Sequence, residues 1–213
     1  MGIYEDAIAA FRSGATDRDG RLADAALKSA WAANDIPAQV SAMCMLARVA
    51  LRNRQLDRVG SFADEARELA REAGTKHLER MPLHMQAVTA RMRGAYPTAR
   101  RLYEESIVLN HSLGEELMVT VESRNLAYVE LHDGHADRAR ELFETALRRA
   151  QESGSDGLAP YLALDAAVLA ALRGETERAA HLAGVAHEAF KAAGQIPDPD
   201  DAAEQTRLHA QLV

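Results

Sequence analysis

The sequence has a single cysteine, Cys44. That excludes an intrachain disulfide and any cysteine-based zinc site. Aromatic residues make up only 5% of the chain. A core must therefore be built mainly from Ala and Leu, side chains that let helices approach closely. β-Branched residues are sparse, while runs such as Arg140 to Ala150 are rich in good helix formers. The chain reads as nearly all helix. There is no surplus of basic residues. Lys and Arg total 25 against 32 Asp and Glu, a net charge of -7. A phosphate-binding surface as the main feature is disfavoured, because it needs clustered Lys and Arg, and no nucleic-acid partner is expected. No apolar run approaches the ~18 residues that span a bilayer, so no membrane association is expected. Met1 to Asp6 lack the basic and apolar regions of a secretory leader. A cytoplasmic location is expected, and the heavy use of Ala and Arg points to a bacterial source.

Catalytic signatures are missing too. The chain carries no P-loop, no dinucleotide fingerprint and no Gly-x-Ser-x-Gly elbow. The eight histidines do not supply a metal pair. His132 and His135 straddle a helix stop, and His181 and His187 are six apart rather than four. The expectation is a non-enzyme with no metal and no cofactor. Cys44 has no signature of a nucleophile and is expected at a groove or buried.

What the sequence does have is a period. Asn34, Gly74, Gly114, Gly154 and Gly194 recur every 40 residues, and Gly14, Arg54, Gly94, Gly134 and Gly174 repeat halfway between them. Gly and Asn tolerate the left-handed backbone that ends a helix. Two stops per repeat mean two helices per repeat. Seven residues before each mid-repeat stop stands an alanine: Ala7, Ala47, Ala87, Ala127 and Ala167. Eight residues after it stand Leu22, Phe62, Leu102, Leu142 and Leu182, and twelve after it Ala26, Ala66, Ser106, Ala146 and Ala186. Small residues at fixed places on both helices allow close packing, and the large residue fills the layer.

This arrangement resembles the tetratricopeptide repeat. The best copy is Asn125-Leu126-Ala127 to Gly134, then Ala139, Phe143 and Ala146. The long period is similar to the variant in kinesin-light-chain-like arrays and in the helical sensor regions of LuxR-type bacterial transcription activators. Ala179 to Phe190 and the turn at Pro197 to Asp201 look like the ending of those sensor regions. The resemblance implies one domain over 1–213, a right-handed superhelical α-solenoid. Its repeats would span about 1–34, 35–74, 75–114, 115–154 and 155–194, with a capping helix over 201–213.

Several positions depart from the pattern. Arg54 replaces a turn Gly, Asp19 and Val59 replace Ala, and Glu130 stands where other copies have Ala. Pro82 falls inside an expected first helix and should kink it or set its start. Pro37, Pro97 and Pro160 fall near helix starts. Ile8 and Phe11, on a first helix with no predecessor, are expected to be partly open. Asp200 or Asp201 should cap the final helix, and Arg207 sits where a small residue belongs.

In such arrays the first helices line the concave surface, which usually binds the ligand. Projecting the repeat gives Arg48, Arg52, His84, Met85, Arg91, Arg124, Asn125, Tyr128 and His132 as binding residues. The face is rich in Arg, Met and Tyr on an acidic chain, with Asp165 the only acid among the projected positions. Arg presents a fork for carboxylates, and Met adapts to apolar side chains. Asn125 matches the Asn-Leu-Ala motif whose Asn commonly grips ligand backbone. The expected function is a protein- or peptide-binding adaptor or regulatory module, with an acidic or C-terminal carboxylate segment as the favoured ligand. Two alternatives stand beside it. One is the small-effector sensor region of a transcriptional regulator. The other is a self-associating structural protein, a homodimer through the N-terminal repeat.

Overall fold

A computed structural model describes residues 11, 13, 14, 16–154 and 156–212, with the side chains of 19 and 156 left aside. The expected first helix, with Ala7 and Ile8, lies outside them. The described residues are helical. In chain order the helices are α1 (Thr16–Ala33), α2 (Ile36–Arg52), α3 (Leu56–Glu72), α4 (Lys76–Met92), α5 (Tyr96–Ser112), α6 (Glu116–His132), α7 (Ala136–Ser153), α8 (Ala159–Leu172), α9 (Thr176–Ala192) and α10 (Pro199–Leu212). A short 3-10 turn, Asp156–Leu158, precedes α8. The fold is an all-α solenoid of helix-turn-helix repeats ending in a capping helix.

The stops create the junctions. Gly94 has φ 72°. Its N–H donates to the carbonyl of Arg91, and the Ala95 N–H donates to that of Ala90. This paired bonding satisfies the carbonyls a helix end leaves orphaned. Asn34 and Arg54 make the same pair of bonds in the left-handed region without being glycine, at φ 52° and 56°. A Cβ there costs free energy that glycine avoids. Replacing exposed Arg54 with Gly should raise stability by about 0.5–1 kcal/mol, the left-handed penalty less the extra freedom a glycine has in the unfolded chain. A higher urea midpoint would show it, and an unchanged or lower midpoint would sink the idea.

Small residues set the packing. Ala47, Ala87, Ala127 and Ala167 are wholly buried, as are Ala66, Ser106, Ala146 and Ala186. Ala26 is only half-buried, and Ala23 takes the deep place on α1. Leu102 is buried, while Phe62, Leu142 and Leu182 are half-buried; in two copies a wholly buried ring stands one position later, at Tyr103 and Phe143. Val59 fills its alanine position with no exposure. α4 starts at Lys76 and runs through Pro82, so that proline does not set the start. It lacks the N–H that would bond the Leu78 carbonyl. Pro37 and Pro160 stand in the first turns of α2 and α8.

The chain divides into two compact units, Met1–Leu109 and Asn110–Val213. In the first, α2 packs on α1, α3 and α4, and α4 on α3. In the second, α7 packs on α6 and α8, α9 on α8, and α10 on both α8 and α9. Within each unit these helices meet their chain neighbours, as repeat architectures require. No helix among the described residues is long and apolar enough to cross a membrane.

Candidate functional site

The nine projected binding residues fall five in the first unit and four in the second. In the first unit, Arg48 and Arg52 of α2 gather on Phe11. Their guanidinium carbons lie 5.6 and 4.1 Å from its ring centre. Arg52 also donates from Nη2 to the Phe11 carbonyl at 3.1 Å. Phe11 is buried, contrary to the expectation of an open position. Its ring and carbonyl hold the two arginines by cation–π attraction and a charged hydrogen bond. On α4, Met85 and Arg91 are buried and His84 is half-buried. Cys44 is buried among Val40, Met43, Ala66 and Ala70. Burial pushes its thiol up to about 12, with Arg48 pulling weakly the other way. It stays protonated at neutral pH and is a poor nucleophile.

The second unit holds a denser constellation. α6 aligns Arg124, Tyr128 and His132 one turn apart, so they share a face. The Arg124 fork meets Asp165 of α8: Nε donates to Oδ2 at 2.8 Å and Nη2 to Oδ1 at 2.9 Å. Nη2 also donates to Asp201 of α10 at 2.8 Å. Tyr128 donates its hydroxyl to Asp165 at 2.8 Å. The Asn125 side-chain oxygen accepts from Arg124 Nη1 at 3.3 Å. Asn125 is therefore buried and locally bonded. The rings of Tyr128 and Tyr161 flank the guanidinium at 5.6 and 5.4 Å.

One turn on, His132 Nε2 lies 2.8 Å from Glu204 of α10 and 2.9 Å from Arg207 Nη1. That nitrogen can serve one of them, as an N–H to the carboxylate or a lone pair to the guanidinium. Arg207 also donates to Glu204 at 3.0 Å. Glu130, in the place of an alanine, is explained by His135, whose Nδ1 is 2.9 Å away.

The electrostatics follow from this geometry. Burial works against the Arg124 charge, but Asp165 and Asp201 more than offset it and hold its pKa above the usual value. The Tyr128 phenol is pushed well up, first by burial and then by Asp165. Tyr161 is raised as well, by burial and then by Asp198 and Asp201. All three stay in one protonation state across the physiological range.

The projection named Asp165 as the opposing acid, and it is. It does not reach Asp201, expected as a cap, or Glu204, on the capping helix. The first helix bond of α10, from the Ala202 N–H, goes to the Asp198 carbonyl. Asp201 turns inward to Arg124 instead of capping. The overlooked signal was Asp201, Glu204 and Leu208, spaced to share one face of an otherwise polar helix.

No protein-family model and no curated protein matches the sequence. Solved structures do match in fold. The apo form of RapI aligns with a TM-score of 0.76 at 15% identity, over 87% of this chain and 68% of that one. A Rap protein complexed with Competence and Sporulation Factor aligns with a TM-score of 0.70 at 14% identity, over 98% of this chain and 62% of that one. A STAND protein with a tetratricopeptide repeat sensor, from Pyrococcus horikoshii, also gives 0.70 at 14% identity, and 98% of this chain covers 31% of that one. The fold is the tetratricopeptide-like helical repeat.

Proposed function

We propose that this chain, a tetratricopeptide-like repeat in fold, is a non-catalytic module that binds protein or peptide segments bearing carboxylates. The observation that carries the reading is the α6 face. Arg124, Tyr128 and His132 each meet a carboxylate, and Asp201 and Glu204 come from a helix more than 70 residues away in sequence. A face that selects acids from within the chain has the chemistry to select them from a partner. The fold shared with a Rap protein in complex with Competence and Sporulation Factor supports binding as the use of such repeats.

The test is a titration of the full chain with helical peptides that carry two acids one turn apart, against the same peptides with Asn and Gln. The acidic forms should bind at least about tenfold more tightly, and less so as salt rises. Equal affinity, or no binding of either form, would count against the reading.

A second reading, the sensor region of a regulator for a small effector, is favoured by the likeness to the STAND protein's repeat sensor. A groove of about 420 Å³ in the second unit, lined by Leu164, Ala183, Gly184, His187, Leu208 and Leu212, would suit a small apolar compound. A thermal-shift screen with metabolites separates the two readings, since a specific effector raises the melting temperature.

A further inference from the structure

The C-terminal helix is held in an unusual way. The buried side chains of α10 are Asp200, Asp201, Glu204 and Leu208. Three of the four are acids. Its neighbour α9 is instead anchored by Ala179, Ala186 and Phe190. α10 packs on α8 and α9, with Leu208 in the apolar cluster, and it is tied to the α6 face through charge, where Asp201 reaches Arg124 and Glu204 reaches His132. Buried ion pairs return little beyond the cost of desolvating them. The two ion pairs that tie α10 to α6 therefore add less strength than their number suggests.

We infer that α10 is a detachable latch. It occupies, with its own Asp201 and Glu204, the place on α6 that a partner's acidic helix takes. The inference rests on the binding function proposed above and names both the partner's pattern and its regulation. The pattern is that of α10 itself: an acid, a second acid three residues on, and a leucine four beyond it. Asp201 supplies the carboxylate for Nη2 of Arg124. Glu204 supplies the one for His132. Leu208 packs into the apolar cluster of the second unit with Phe143 and Leu164. Asp165 keeps the Arg124 fork satisfied when Asp201 leaves, so release does not strand a bare buried cation. Because α10 is tethered, it competes at an effective concentration on the order of millimolar. A partner therefore binds weakly until the latch is weakened.

The experiment uses the full chain, wild type and the double variant Asp201→Asn with Glu204→Gln. The ligand is a fluorescent peptide of residues Pro197 to Leu212. By anisotropy the variant should bind it at least about tenfold more tightly than wild type, and a peptide with the same two amide changes should not bind. Equal binding by wild type and variant, or binding by neither, overturns the latch. Hydrogen exchange on the wild type gives a test that needs no variant. Amides of α10 should exchange at least about tenfold faster than those of α8 and α9. Equal protection overturns the latch. Unrelated helical peptides with the same pattern separate the two claims. If the variant binds the α10 peptide but not these, the partner-binding function fails and the latch stands. If they bind wild type and variant alike, the latch fails and the function stands.

Discussion

Replacing Arg124 with Met is expected to destabilise the second unit by about 3–5 kcal/mol, the range for breaking a buried ion pair from one side. The reason is what the change leaves behind. Asp165 has no exposure at all and Asp201 almost none. Without the guanidinium, Asp165 stays buried and uncompensated in the wall between α6 and α8, and Asp201 is either buried beside it or released with α10 at the cost of that helix's packing. Tyr128 still donates one hydrogen bond to Asp165, which offsets a fraction of the loss. Met fills most of the volume of Arg, so a cavity is a minor part of the cost. Arg124→Lys should fall between, because a lysine cannot form the paired bonds to Asp165. Adding Asp165→Asn and Asp201→Asn to Arg124→Met should restore much of the stability, since the uncompensated charge is then gone. Urea unfolding followed by far-UV circular dichroism is the right measurement. The single tryptophan, Trp31, lies in the first unit and reports on that unit. A loss below about 1 kcal/mol would place the cluster among ion pairs that contribute little.

The second large effect is Phe143→Ala, expected to cost about 3–5 kcal/mol. Phe143 is wholly buried, in a cluster with Ala127, Ala139, Leu164 and Ala167. Truncation leaves a cavity between Tyr128, Leu164 and the wholly buried alanines, which close packing lets the surroundings fill only in part. Its ring also meets Tyr128 edge-on, with centres 4.9 Å apart and planes at 79°. That pairing holds the tyrosine whose hydroxyl orients Asp165. The variant should therefore lose acidic-peptide binding as well as stability. Phe143→Leu, which keeps most of the volume, should cost less than about 1.5 kcal/mol. If Ala and Leu variants unfold at the same urea concentration, the cavity argument is wrong.

The repeat was legible because its cause is local. A left-handed residue every twenty positions and an alanine at a fixed distance before it are demands that one helix pair places on its own sequence. Arg54 could be placed at a stop by phase alone, and its φ agrees. Phe143 was legible in the best repeat copy, although the apolar phase also pointed to Leu142, which is only half-buried. Tyr103 was harder: the phase pointed to Leu102, which is buried, and only the rotation of the helix in its packed setting brings the adjacent ring inward as well. On the α6 face the sequence named Arg124, Asn125, Tyr128 and His132 but not their partners. Asp201 is 77 residues from Arg124. No spacing rule joins them, because the separation depends on how α10 returns against α6. Asp165 was found because it sits one repeat after Asn125 at the same phase, a relation the period does encode. Phe11 was misjudged for a related reason. Being at the start of an array suggests exposure, but its ring is covered by two arginines from the next repeat.

The distance between Arg124 and Asp201 also has a consequence for the chain while it is being made. Synthesis runs from the N-terminus at about 5–20 residues per second, so roughly 4–15 s separate the two residues at the ribosome. Asp165 follows Arg124 sooner, 41 residues on. Throughout the later part of that interval the α6 face has its arginine paired once and its histidine facing no glutamate. The nascent repeat thus passes through an open form before its last helix exists to close it.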